Sequence, residues 1–206
     1  MSRARLESFS DGVIAVAITL LVLNIVVPPA DKTAHGAHLG HALGALWPQY
    51  AAYVVSFLTI GIIWINHHVM IGRLAEADHS ILMLNLLLLL TIAVIPFGTS
   101  LFAEYLREGH GAKLAAAIYG AIFLAMASAF ASLNSQILLR RPQLLRVKLS
   151  ARQRRMILYR SVSGLFPYIV ATGLAAVSPY VTLAIMAALA LFYALPIASS
   201  AGVSEV

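Results

Sequence analysis

Residues 5–24 read RLESFSDGVIAVAITLLVLN, an aliphatic run that begins directly after Asp11 and is closed by Pro28-Pro29 a few residues later. A run of this length with a carboxylate near one end is expensive in a soluble core and ordinary in a bilayer, where about 20 apolar residues cross the hydrocarbon. The rest of the chain reads the same way. Of its 206 residues, 61% are hydrophobic and 11% charged, against roughly 25% charged in a soluble domain. The mean hydropathy is +0.88. Little polar surface is available to solvate a globule, so a single compact membrane domain over 1–206 is expected, all-α in class.

Working outward from that first block, six apolar spans can be drawn, at about 8–27, 47–72, 80–105, 113–138, 157–177 and 179–198. Pro28-Pro29 removes amide donors and ends the first. Arg73, Glu76 and Asp78 force a polar turn after the second, and Glu104 to Lys113, with Gly109 and Gly111, separate the third from the fourth. Ser178-Pro179 divides the last two; merging them into one kinked helix would leave five spans. The opening MSRAR invites a signal-peptide reading, but the run is long and lacks a clean small-x-small cleavage site. It is expected to be a permanent span.

The basic residues set the orientation. Arg3, Arg5, Arg73, Arg140, Arg141, Arg146, Lys148, Arg152, Arg154, Arg155 and Arg160 fall on one side, and only Lys32, Arg107 and Lys113 on the other. That bias predicts a multi-pass protein of the cell membrane with both termini cytoplasmic. The Arg140–Arg160 cluster lies between two spans, so it reads as an anchor for anionic lipid headgroups and not as a nucleic-acid surface.

Enzyme motifs are missing: no GxSxG, HExxH, Walker loop or GxGxxG occurs. No cysteine is present, which removes disulfides, thiolate ligands and thiol nucleophiles. His35, His38 and His41 in the first external loop are spaced too weakly for a metal site and read as solvated. A non-enzymatic protein with no bound cofactor or metal is expected.

Polar residues inside spans are then the informative ones. An ionised carboxylate unpaired at mid-membrane costs roughly 2.5–3.5 kcal/mol, so Asp11 needs partners. Arg5 and the Trp64-Ile65-Asn66-His67-His68 segment are the candidates, because the second span runs back toward the basic side and ends level with Asp11. At about 100° per residue, Val16, Thr19, Leu20, Leu23 and Val27 cluster on one side of the first helix, with Asp11 about 140° from Val16. Such a stripe faces lipid, core or a pore. Asn85 and Thr91, Ser128, Ser132 and Asn134, and Gly164, Pro167 and Gly173 suit close packing and kinks in the later spans.

The Arg5–Asp11 stretch centred on Phe9-Ser10-Asp11, the following GVIAVAITLLVL, the WINHH segment at 64–68 and the six-span layout together resemble the transmembrane protein 175 family of potassium channels, most closely its short prokaryotic members. The resemblance implies a potassium channel without a TVGYG selectivity loop, and none occurs here. It implies a homotetramer of six-span subunits around a central pore lined by the first helix, with K⁺ as the permeant ion. Val16, Leu20 and Leu23 would form the constriction and Thr19 a polar layer. Arg5, Phe9, Ser10 and Asp11, with Trp64, Asn66, His67 and His68, would anchor that helix. One departure stands out: Val16 is smaller than the isoleucine or leucine common at that position. The competing reading is a proton-coupled secondary transporter or proton leak using Asp11 and His67. The aliphatic midplane of the first span favours the channel.

Overall fold

A computed structural model describes residues 2–29 and 36–194, with the side chains of 36–38 excepted. Its regular elements are helices: α1 (Arg3–Leu20), α2 (Gly36–Gly44), α3 (Trp47–Gly72), α4 (His79–Glu108), α5 (Ala112–Ser135), α6 (Ala151–Ser163), α7 (Leu165–Leu174) and α8 (Pro179–Ala194). Among the described residues there are no β-strands beyond two isolated bridges. Among the described residues, five stretches are long and apolar enough to cross a membrane: Arg3–Asn24, Trp47–Gly72, His79–Glu108, Ala112–Arg140 and Ala151–Leu174. A sixth apolar helix, Pro179–Ala194, is about 24 Å long at 1.5 Å per residue. The turn at Ala175–Val177 keeps α7 and α8 apart, so the merged-helix alternative does not hold. Residues 195–198, assigned to the last span from sequence, lie outside the described residues.

Several boundaries differ from the sequence reading, each for a local reason. The first helix starts at Arg3, not at residue 8, where Arg3 and Glu7 are spaced to pair across one turn. It stops at Leu20 and tightens into a 3₁₀ segment, Leu21–Asn24, so Val27 lies beyond the helical stripe. The first external loop contains a helix, α2. The fifth span is interrupted between α6 and α7 at Gly164. Pro167, three residues on, has no amide proton for the Ser163 carbonyl and its ring crowds that group. The α5 helix passes into a π-helical turn at Gln136–Arg140 before Pro142 ends it.

The helix ends carry their own signals. Asp78 caps α4, accepting from the Ile81 amide at 2.9 Å. Ser150 and Gln153 form a reciprocal capping box on α6. The α4–α5 turn is closed by Gly109 and Gly111 at φ +82° and +75°, a region where side chains with a Cβ are strained.

The long helix α4 is the centre of the bundle. Ile81, Leu88, Ile92, Ile95 and Phe102 along it are fully buried, packed between α1 and α3 on one side and α5 on the other. Small residues let α5 approach closely: Ala112, Ala115, Ala116 and Ala131 are buried. At Gly120 an added Cβ would come within 2.6 Å of Thr172 Oγ1 on α7. Beyond α5, α7 and α8 complete the packing, and α8 reaches back to α3. By contrast α1 sits at the edge of the subunit, touching α3 and α4.

Both ends of the bundle are tied by polar contacts. Toward the α4–α5 turn, Tyr119 Oη lies 2.9 Å from Ser56 Oγ, which lies 2.8 Å from Thr99 Oγ1. Since Thr99 donates to the Ile95 carbonyl, Ser56 donates to Thr99 and Tyr119 to Ser56. At the other end the Arg73 and Leu144 loops are stitched together, Ala75 N to Leu144 O and Arg146 N to Arg73 O, each 2.8 Å. Arg141 pairs with Asp78 at 2.7 Å, and Arg154 Nη1 donates to Leu138 O at 3.1 Å. Arg3 Nη1 reaches the Gly72 carbonyl at 3.3 Å. The N-terminus and the basic segment thus share one end of the molecule.

Candidate functional site

Because α1 is peripheral, its two sides meet different surroundings. Leu6, Ser10, Ile14, Ala17 and, in the 3₁₀ segment, Leu21 are buried against α3 and α4. On the other side Val16, Leu20 and Leu23 are exposed by 59%, 43% and 72%, and Thr19 is exposed between them. The 3₁₀ segment that follows at Leu21–Asn24 advances about 120° per residue, which carries Leu23 closer to the line of Leu20 than a continued α-helix would. Thr19 Oγ1 lies 2.9 Å from the carbonyls of both Ala15 and Val16. Its proton is therefore used within its own helix, and oxygen lone pairs are what it offers outward. Next to this stripe, Ser8, Phe9, Gly12, Val13, Val16, Ala17 and Leu20 border a groove of about 560 Å³ closed by Ala93 of α4.

The basic end of α1 is held by three separate contacts. Trp64 Nε1 of α3 donates to Asp11 Oδ1 at 2.9 Å. One turn lower, His68 Nδ1 lies 2.9 Å from Glu7 Oε1, whose other oxygen is 3.5 Å from Arg3 Nε. Deeper in the subunit a hydrogen-bond chain crosses all three helices. His67 Nε2 meets Asn85 Oδ1 at 2.8 Å, Asn85 Nδ2 donates to Ser10 Oγ at 3.0 Å, and Ser10 donates to Leu6 O at 2.9 Å. An amide oxygen only accepts, so the chain places the His67 proton on Nε2; Nδ1 has no partner among the described residues. His67, Asn85 and Ser10 are each fully buried.

Several expected pairings are corrected. Arg5 is exposed and does not meet Asp11: six residues along a helix place two side chains about 120° apart. Arg3 and Glu7, four apart, make the ion pair instead. Asp11 and His67, the two protonation sites of the transporter reading, do not bond to each other; their hydrogen-bond partners are Trp64 and Asn85. Asn66 donates to Ile62 O of its own helix at 2.9 Å and makes no cross-helix hydrogen bond among the described residues. Phe9 points outward beside the groove, not into the anchoring contacts. His35 lies outside the described residues, as does the side chain of His38. His41 sits on α2, and among the described residues no three His, Cys, Asp or Glu side chains are grouped to hold a metal ion.

The residue that sequence reasoning undervalued is Asn85, assigned to close packing but placed here as the hub between α1 and α3. Its signal was available: a lone amide within the leucine run of residues 82–90 is costly in hydrocarbon unless bonded. At the opposite end of α1, Asn24 Nδ2 donates to the Pro96 carbonyl at 2.9 Å and the Val26 amide to Gln49 Oε1 at 3.0 Å. Neither Asn24 nor Gln49 was singled out beforehand.

Comparison with known proteins matches this architecture. A family model described as "Endosomal/lysosomal potassium channel TMEM175" matches residues 5–96, which contain the α1 contacts above apart from those of Arg3. A Streptomyces collinus protein named as a potassium channel is 47% identical over 189 residues, 92% of this chain and 90% of that protein. A mouse protein named as an endosomal/lysosomal proton channel, TMEM175, is 36% identical over 115 residues, 53% of this chain and 23% of the mouse protein. Among solved structures, a lysosomal potassium-selective channel TMEM175 homolog from Chamaesiphon minutus superposes with a TM-score of 0.82 at 36% identity, covering 93% of this chain and 96% of that one. From the nearly full-length identity and the shared fold, the chain belongs to the TMEM175 family.

Proposed function

We propose that four copies of this chain, each one six-span unit over 1–206, form a potassium-permeable channel in the cell membrane, with both termini cytoplasmic and α1 of each subunit lining the pore. The observation that carries this reading is the outward stripe of α1. A helix held at the subunit edge, bonded to α3 and α4 by its other side, presents Val16, Thr19, Leu20 and Leu23 to whatever lies beyond. Around a four-fold axis these become rings. The groove beside Phe9 and Gly12 supplies room for the α1 of a neighbouring copy. The resemblance implies a constriction at the same residues, and relatives named as potassium channels support the ion-channel reading.

Rings of Leu20 and Leu23 raise the barrier to a hydrated cation by excluding water, which is gating by dewetting. Thr19 oxygens, with their protons turned back to the helix, supply acceptors one step inward. Apolar rings and single hydroxyls replace little of an ion's hydration shell, so the expected preference for potassium over sodium is modest. The anchoring contacts at Ser10, Asp11, Trp64, His67 and His68 fix the rotation of α1 and so keep the stripe aimed at the axis. The basic residues from Arg140 to Arg160 lie against anionic headgroups.

The chain has no cysteine, so single substitutions give an unambiguous test. Leu23→Cys protein in potassium-loaded liposomes is expected to crosslink to dimers on oxidation and to lose flux when a water-soluble thiol reagent is added. Leu114→Cys, on an exposed position of α5, is the control expected to do neither. Leu23→Cys that neither crosslinks nor responds would place the stripe in lipid and overturn the reading.

A further inference from the structure

A second groove, of about 450 Å³, runs between α5 and the α6–α7 segment, on the far side of the bundle from α1. Its two walls differ. Along α5 it is lined by Ser128, Ser132, Ser135 and Gln136, ending at Arg140; facing them are Leu158, Val162 and Leu165, with Leu84 of α4 nearby. Gln136 is only 9% exposed although it borders open space, and Arg140 stands exposed at the mouth. Among the described residues, no carboxylate lines the groove. The neighbouring cations are engaged elsewhere, Arg141 with Asp78 and Arg154 with the Leu138 carbonyl.

We infer that this groove binds one anionic phospholipid, its phosphate on Arg140 and one acyl chain against Leu84, Leu158, Val162 and Leu165. The dimensions suit that occupant. From Arg140 to Ser128 is about 18 Å along the helix axis, which spans a headgroup, its glycerol esters and the upper part of a chain. Ester carbonyls accept hydrogen bonds, and the hydroxyls of Ser132 and Ser135 and the amide of Gln136 supply donors at the depth just beyond the phosphate. The sign of the headgroup follows from charge: a guanidinium with no carboxylate beside it complements a phosphate, while a choline group would meet no counter-charge. A free phosphate would leave the apolar wall unfilled. The inference rests on the proposed orientation, with the basic end of the bundle in the headgroup layer, and not on ion conduction.

Native mass spectrometry of the detergent-solubilised full chain, titrated with phosphatidylglycerol or phosphatidylcholine of equal acyl length, tests it. Wild-type protein is expected to retain one phosphatidylglycerol per chain in preference to phosphatidylcholine. Arg140→Gln should weaken that retention about fivefold, the factor that one basic contact near an anionic headgroup provides. Ser132→Phe, which fills the groove without altering charge, should weaken it as well and serves if Arg140→Gln misfolds. Arg146→Gln, exposed but outside the groove, should leave it unchanged. Equal retention of the two lipids, an equal loss in Arg146→Gln, or displacement by soluble glycerol phosphate would each overturn the inference. Potassium flux measured on the same variants reports separately on the channel reading.

Discussion

On the inward side of α1, Ser10 is sealed into a hydrogen-bond chain with Asn85 and His67, and Leu6, Ile14, Ala17 and Leu21 fill the space around it. On the outward side, Val16, Leu20 and Leu23 stand exposed, with one hydroxyl among them. The departure from a soluble protein is that a hydrogen-bonded serine is buried among the aliphatic residues inside, while aliphatic residues stand exposed outside. In hydrocarbon a polar side chain gains from a protein partner because no water competes, while a leucine gains nothing from burial. The inward side therefore sets the position of the helix, and the outward side is free to be chosen for what passes along it.

That contrast can be broken from either side, and the largest effect is expected inside. Asn85→Leu leaves Ser10 and His67 without their shared partner, at a cost of about 1–3 kcal/mol for a buried unsatisfied group. Thermal unfolding in detergent, followed by the fluorescence of Trp47 and Trp64, should show it. The reference is Asn66→Leu, which removes a bond made only within one helix; an equal shift in both would mean that the cross-helix chain does not hold α1. Outside, Leu23→Ser should leave unfolding unchanged and raise potassium flux about tenfold, as expected if roughly 1.4 kcal/mol of barrier comes from the apolar ring. Unaltered flux would remove Leu23 from the constriction. Smallest is Asp11→Asn, which keeps an acceptor for Trp64 but loses the charge, an effect of about 1 kcal/mol. It should appear as a reduced tetramer fraction on size-exclusion chromatography, and wild-type assembly together with wild-type current would exclude Asp11 from the anchor.

The membrane class, the all-helical architecture and the grouping of Val16, Thr19, Leu20 and Leu23 on one side of α1 were legible because they depend on composition and on a fixed angular step per residue. The cross-helix partners were less so. Trp64 and Asp11 could be matched by depth, but depth alone could not say that His68 takes Glu7 while His67 turns to Asn85. Those choices depend on the rotation of α3 against α4, which is set by packing and leaves no local pattern. Arg5 illustrates the limit from the other direction: its charge and its depth at the basic end suggested a pairing that the helical angle between residues 5 and 11 works against. Gly164 and Pro167 were marked for packing and kinks, and the helix is interrupted there because Pro167 cannot bond the Ser163 carbonyl.

The short 3₁₀ stretch at Leu21–Asn24 bears on how little motion such a molecule needs. Each residue there advances about 120° and 2.0 Å, compared with 100° and 1.5 Å in an α-helix. Rewinding those residues into the α form would swing Leu23 through about 60° relative to Leu20. The lower helix, bolted to Trp64 and Asn85, would not have to move. A side chain could thus leave the axis by a local change of pitch, with Asn24 and Gln49, which grip the upper strand of the chain, deciding how freely it turns.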